Sequence, residues 1–131
     1  MTRKLAAKSV LALVLALAFF AMPSSVMAKS VIIEGEIQGA MCVAHGTKCP
    51  VSGLDAHIAL EPDFVLLTSG GKYYFLPNLD RGIKSRWIGR AVRVKGDSDG
   101  QSIMVNTFEA KSGAVIWDFQ EWLAQEAQTR P

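Results

Sequence analysis

Ala91-Val92-Arg93-Val94-Lys95, a turn at Gly96-Asp97-Ser98-Asp99-Gly100, and then Ile103-Met104-Val105-Asn106-Thr107-Phe108 form the stretch on which the fold of this chain turns. Val92 and Val94 alternate with Arg93 and Lys95, the period-two pattern of a strand with one buried and one solvated face. Glycine and aspartate then reverse the chain, and a second β-branched run follows, so the whole reads as a hairpin.

Working outward, Phe64-Val65-Leu66-Leu67-Thr68 and Lys72-Tyr73-Tyr74-Phe75-Leu76 are two further strand-like runs, with Ser69-Gly70-Gly71 between them supplying the positive φ of a tight turn. Val31-Ile32-Ile33-Glu34-Gly35-Glu36-Ile37-Gln38 reads as a first strand that ends at Gly39. From Gly39 to about Pro62 a long loop is expected, because Gly46, Pro50, Gly53 and Pro62 suit neither regular element. After Pro77, Asn78 is placed to cap a short helix on which Leu79, Ile83 and Trp87 share a stripe. Val115 to Gln128 lacks glycine and proline, and Ile116, Phe119, Leu123 and Ala127 recur at helical spacing beside Trp122, so the chain is expected to end in an amphipathic helix from about residue 115. The aromatic residues Trp117, Phe119 and Trp122 are expected to cover the barrel, with part of that stripe as an alternative docking edge for another subunit. Strands one to three, a short helix and strands four and five make the order of a mainly β, five-stranded OB-like barrel, whose closure removes sticky edges.

The run Ile88-Gly89-Arg90-Ala91-Val92-Arg93-Val94-Lys95-Gly96, with Ile103 to Phe108 after the turn, resembles the last hairpin of small exported OB-fold domains. Met41 to Pro50 is similar to the corresponding segment of small exported bacterial proteins that carry cysteine and histidine after the first strand. These resemblances imply a fold, and a fold alone assigns no chemistry.

The amino terminus reads as an export signal. Arg3, Lys4 and Lys8 precede an apolar run from Val10 to Ala21, a polar break at Pro23-Ser24-Ser25, and Val26-Met27-Ala28. Cleavage is expected after Ala28, leaving residues 29–131 as a single periplasmic domain. A run of twelve apolar residues falls short of the roughly 20 that span a bilayer, and no later segment is apolar enough, so no transmembrane span is expected. Removing the signal leaves 11 cationic against 12 anionic residues, a balance that implies no nucleic-acid partner.

Cys42, His45, Cys49 and His57 are the only cysteines and histidines in the chain, and they fall within 16 positions. Paired cysteines in an exported domain form a disulfide first of all, here Cys42 to Cys49, with no cofactor. The alternative is zinc or copper held by Cys42, His45 and Cys49, with His57 or a water as fourth ligand and Met41 as a further soft sulfur for copper. Free redox thiols are a third possibility. The C-x-x-C-H of a covalent c-type haem and the C-x-x-C of a thioredoxin-like site are both absent.

A second feature is basic. Lys72, Arg81, Lys84, Arg86, Arg90, Arg93 and Lys95 stand against Asp80 alone. With Tyr73, Tyr74 and Trp87, the residues Lys72, Arg86, Arg93 and Lys95 make a candidate face for an acidic partner protein or, alternatively, an anionic glycan. The bland alternative is a solvated strand face. Asp55 and His57 lie close in sequence to Ser52, but no nucleophile-elbow motif surrounds any serine, and no phosphate-cradling glycine loop precedes a helix. The expectation is therefore a non-enzymatic binding or accessory module that presents its Cys/His loop and basic face to another envelope protein or complex.

Overall fold

In chain order the elements are β1 (Lys29–Gly39), α1 (Ala40–Ala44), α2 (Ala56–Leu60), β2 (Phe64–Leu67), β3 (Tyr73–Phe75), α3 (Arg81–Arg86), β4 (Ala91–Ser98), β5 (Ile103–Ala110), β6 (Val115–Asp118) and α4 (Phe119–Thr129). They come from a computed structural model, which describes residues 27–49 and 56–130, with only the backbone of His57. Most of the expected signal, residues 1–26, lies outside the described residues, as do Pro50, Ser52, Gly53 and Asp55.

The strands form one six-stranded antiparallel sheet in the order β3-β2-β1-β4-β5-β6. β1 serves two neighbours. Its first part, Lys29 to Glu36, pairs with β4, whereas Glu36 to Gly39 pair with β2. The strand must bend to change partners, and Gly35 allows it: a Cβ there would stand 2.5 Å from the carbonyl oxygen of Leu67. A bulge between Lys95 and Gly96 adds curvature to the β4–β5 hairpin.

Alternation puts the apolar residues on the inner face. Val92 and Val94 of β4, Ile103, Val105 and Phe108 of β5, and Ile37, Phe64 and Leu66 from the other half of the sheet are buried in one cluster. Leu76, Leu79 and Ile88 extend it along the β3–β4 connection. Fully burying a side chain of this size contributes about 1.5–3 kcal/mol.

The expected five strands are six among the described residues, and no ladder there closes the sheet into a barrel. Among the described residues β3 meets the turn before β5 at one isolated parallel bridge, Phe75 to Ser102, where the Phe75 N–H donates to Gln101 O at 3.0 Å. The additional strand is Val115–Asp118, expected as helix but paired with Thr107–Glu109 of β5. β5 would otherwise present an unpaired edge, and that pairing overrides the local helical period. Asp118 then caps α4, accepting from the N–H groups of Gln120 and Glu121 at 2.9 and 3.2 Å.

α4 buries none of its residues, so the expectation that Phe119 and Trp122 cover the barrel is not met; Trp117, on β6, packs against the core. Phe119 and Trp122 instead stack on each other with centroids 5.9 Å apart. The loop expected from Gly39 to Pro62 contains two short helices, α1 and α2. The cap of α3 is Asp80, not Asn78: its Oδ1 accepts from the Gly82 N–H at 2.7 Å. Among the described residues no helix is long and apolar enough to cross a membrane.

Candidate functional site: a stapled loop beside a polar cleft

Where β1 ends, α1 turns once and leaves its first N–H groups without partners inside the helix. Glu61, beyond α2, supplies them. Its Oε2 accepts from the Met41 N–H at 2.9 Å and its Oε1 from the Cys42 N–H at 3.3 Å. The carboxylate is almost wholly buried, at 7% exposure. Gly39 makes room for it, since a Cβ at that position would lie 2.3 Å from Glu61 Cδ and 2.7 Å from Cys49 Sγ.

Cys49 returns beneath α1 and joins Cys42 in a disulfide, with a Cα–Cα distance of 5.6 Å. On the chain-entropy account a loop of this length is worth about 2.5 kcal/mol. The backbone of Cys49 is held independently of the sulfur link. Its N–H donates to Oε1 of Gln38 at 2.9 Å, and Gln38, fully buried, donates from Nε2 to Glu36 Oε1 at 2.5 Å. Lys48 closes the chain of contacts by donating to Glu36 Oε2 at 2.8 Å. Every polar group in this relay has a partner, which is what allows Gln38 to be buried at all.

The structure therefore brings Cys42 and Cys49 together as the bridge, and it adds an acid that sequence reasoning did not consider. Glu61 Oε1 lies 3.1 Å from the Sγ of Cys42 and 3.5 Å from that of Cys49. His45, expected as a metal ligand, donates its Nδ1 proton to the Met41 carbonyl at 2.8 Å, and its ring is not part of the sulfur–carboxylate group. The His57 side chain lies outside the described residues. Nothing in the spacing around Glu61 set it apart, since Asp63 follows two residues on.

The residues of the expected basic face lie on or beside β3, α3 and β4, each with local partners of its own. Lys72 sits over the ring of Tyr74, 4.7 Å from its centroid, while Tyr74 itself belongs to the core. Tyr73, half exposed, meets Phe75 edge-on. Arg86 donates Nε–H to the Gly82 carbonyl at 3.0 Å within α3. Trp87 packs edge-on against buried Phe108 and carries the guanidinium of Arg90 over its ring. Arg93 and Lys95 do share the outer face of β4, but acids meet both. Arg93 donates to Glu34 at 2.6 Å, and Lys95 donates to Glu109 at 2.5 Å. The hydrogen bond to Glu34, and then that residue's charge, hold the Arg93 pKa above its ordinary value.

What the fold does assemble is a cleft of about 500 Å³ on the outer side of the sheet. It opens where β1 leaves β4 for β2, and the β2–β3 turn forms one wall. Glu34, Glu36, Lys48, Thr68, Arg93 and Lys111 line it. Two ion pairs, Glu34 with Arg93 and Glu36 with Lys48, lie along it, whereas Lys111 has no ion-pair partner among the described residues. Glu34 and Glu36 stand two apart on β1, and nothing in the sequence announced that Lys48 and Lys111 would line the same cleft. Comparison with protein-family models, with curated proteins and with solved structures finds no match for this chain.

Proposed function

We propose that this chain is a non-enzymatic binding module of the bacterial periplasm, which recognises another envelope protein through the cleft between its stapled loop and the outer face of β4. One observation carries the reading: a single concavity joins Lys48, from the Cys/His loop, to Arg93, from the basic strand. Its volume suits a short peptide segment or a few protruding side chains. The Glu34–Arg93 and Glu36–Lys48 pairs hold these charges in fixed positions, so a partner meets prearranged donors and acceptors. Lys111 favours an acidic group on that partner.

Export rests on the basic-then-apolar amino terminus and suits the disulfide, since such bonds persist in oxidising compartments. The β1–β5 portion is read as an OB-like barrel, rolled until Phe75 reaches Ser102, with β6 and α4 as an addition outside it.

The test is a photo-crosslinking amino acid at Ala91, which lines the cleft, with one at exposed Gln128 as a control. In intact cells Ala91 should yield a discrete crosslinked species, lost with Lys111→Glu. No crosslink from Ala91, or the same species from Gln128, defeats the proposal.

A further inference from the structure

We propose that Cys42, Cys49 and Glu61 become, once the disulfide is reduced, a site for a borderline-soft divalent cation such as zinc, independent of the cleft and its partner. The Sγ atoms of both cysteines and a carboxylate oxygen of Glu61 lie within 4.8 Å of one another. Thiolate and carboxylate are both zinc ligands, and two sulfurs with one oxygen leave a fourth position for water.

The frame for this site does not depend on the sulfur link. The Cys42 N–H is held by Glu61, and the Cys49 N–H by Gln38, through bonds that survive reduction. The Cα atoms, 5.6 Å apart, therefore stay close while the sulfurs separate. Two sulfurs each about 2.3 Å from one tetrahedral ion stand about 3.8 Å apart, which a modest rotation of each side chain reaches. Glu61 is already oriented by its bonds to the Met41 and Cys42 N–H groups, so its carboxylate needs little movement.

Charge supplies the reason for a cation. Two thiolates beside a buried carboxylate would concentrate three negative charges where water is scarce, and a dication offsets two of them. Access is one-sided: Cys49 is 2% exposed and Cys42 is half-buried. A dithiol reductant attacks Cys42 Sγ, forming a mixed disulfide and releasing Cys49 as a thiol. The second thiol of the reductant then displaces Cys42 and leaves as a cyclic disulfide. Two electrons and two protons are thereby transferred to the protein. The cation binds by displacing the two thiol protons into solvent. A disulfide oxidant re-forms the Cys42–Cys49 bond by thiol–disulfide exchange, taking the two electrons and becoming a dithiol while the ion returns to water, so the site is redox-gated.

The experiment titrates Co²⁺ and Zn²⁺ into the full chain, kept either oxidised or reduced by a phosphine without oxygen. The reduced protein should bind one equivalent and show a thiolate-to-cobalt absorption band, and the oxidised protein should show no such band. Glu61→Gln should weaken binding by about 10–100-fold. Zinc-edge X-ray absorption on the unaltered reduced protein should find two sulfur ligands, whether or not the variant folds. Absence of sulfur around zinc, an affinity unchanged in a folded Glu61→Gln variant, or equal binding by the oxidised form overturns the proposal.

Discussion

The side chain of Asn78 pairs with the backbone of Val105 in both directions: Nδ2 donates to the carbonyl at 2.8 Å, and Oδ1 accepts from the N–H at 2.8 Å. The amide thus replaces a strand neighbour for β5 at a point where no strand runs. It ties the β3–α3 connection to the middle of the sheet, 27 residues away in sequence. Asn78→Ala should lower the free energy of unfolding by about 2 kcal/mol, because both groups of a fully buried residue lose their partner. Urea denaturation of the two proteins measures the difference, and a loss below about 0.5 kcal/mol would show that water replaces the amide.

Lys84 is the buried cation of the fold, 3% exposed, and is anchored by Asp63 at 2.5 Å and by the Leu76 carbonyl at 3.3 Å. Removing the acid strands a charge in the interior. Asp63→Ala should therefore destabilise the protein by about 3 kcal/mol. Lys84→Met in the same background should recover a substantial part of that loss, since an apolar side chain of similar length leaves no charge to satisfy. Thermal unfolding of the single and double variants checks the order.

Gly39 gives the Glu61 carboxylate and the Cys49 sulfur their space. Both neighbours are fixed, one by two backbone N–H groups and the other by the bridge, so neither withdraws easily. Gly39→Ala should cost about 1–3 kcal/mol. It should also increase amide exchange at Met41 and Cys42, which lose their acceptor if the carboxylate is pushed aside. A variant of unchanged stability and exchange would show that the loop can yield.

Asp99 sits in the β4–β5 turn, where the N–H groups of Ser102 and Gln101 donate to its Oδ1 at 2.7 and 2.8 Å. These bonds favour the ionised form, so its pKa lies below the ordinary value. A depressed carboxylate stabilises the fold above the unfolded pKa of about 4, and the contribution disappears as pH falls through the folded value. The stability difference between the wild type and Asp99→Asn should accordingly shrink below about pH 4. Carbon NMR titration of the side chain should give a midpoint under the usual aspartate range, and a midpoint at or above that range contradicts the account.

Local periodicity made the strands legible. Val92 and Val94, and Ile103 and Val105, alternate with polar or exposed residues strongly enough that the core face follows from sequence, and the continuous apolar runs at Phe64 and Tyr73 are legible as strands. The Cys42–Cys49 bridge was the first of three readings for a different reason: an amino terminus that reads as an export signal favours pairing of two cysteines. Residues 115–118 misled because Ile116 and Phe119 satisfy a helical period, whereas the decisive influence was an open edge on β5, 6 to 11 positions earlier, whose pairing a helical period does not register.

By itself, then, the sequence determined which residues of β4 and β5 face inward and where the hairpins turn, because these depend on side-chain alternation and turn chemistry, whereas for the two sulfurs it only put a disulfide ahead of a metal site and free thiols. Only the tertiary structure decided that Glu61 abuts both sulfurs, that Asn78 serves as a strand partner, and that Lys48, Arg93 and Lys111 line one cleft. Each of those meetings joins residues at least 12 positions apart, through the bend of β1 or the curl of the sheet. Residue spacing constrains a contact within one element, whereas contacts between elements depend on how those elements pack.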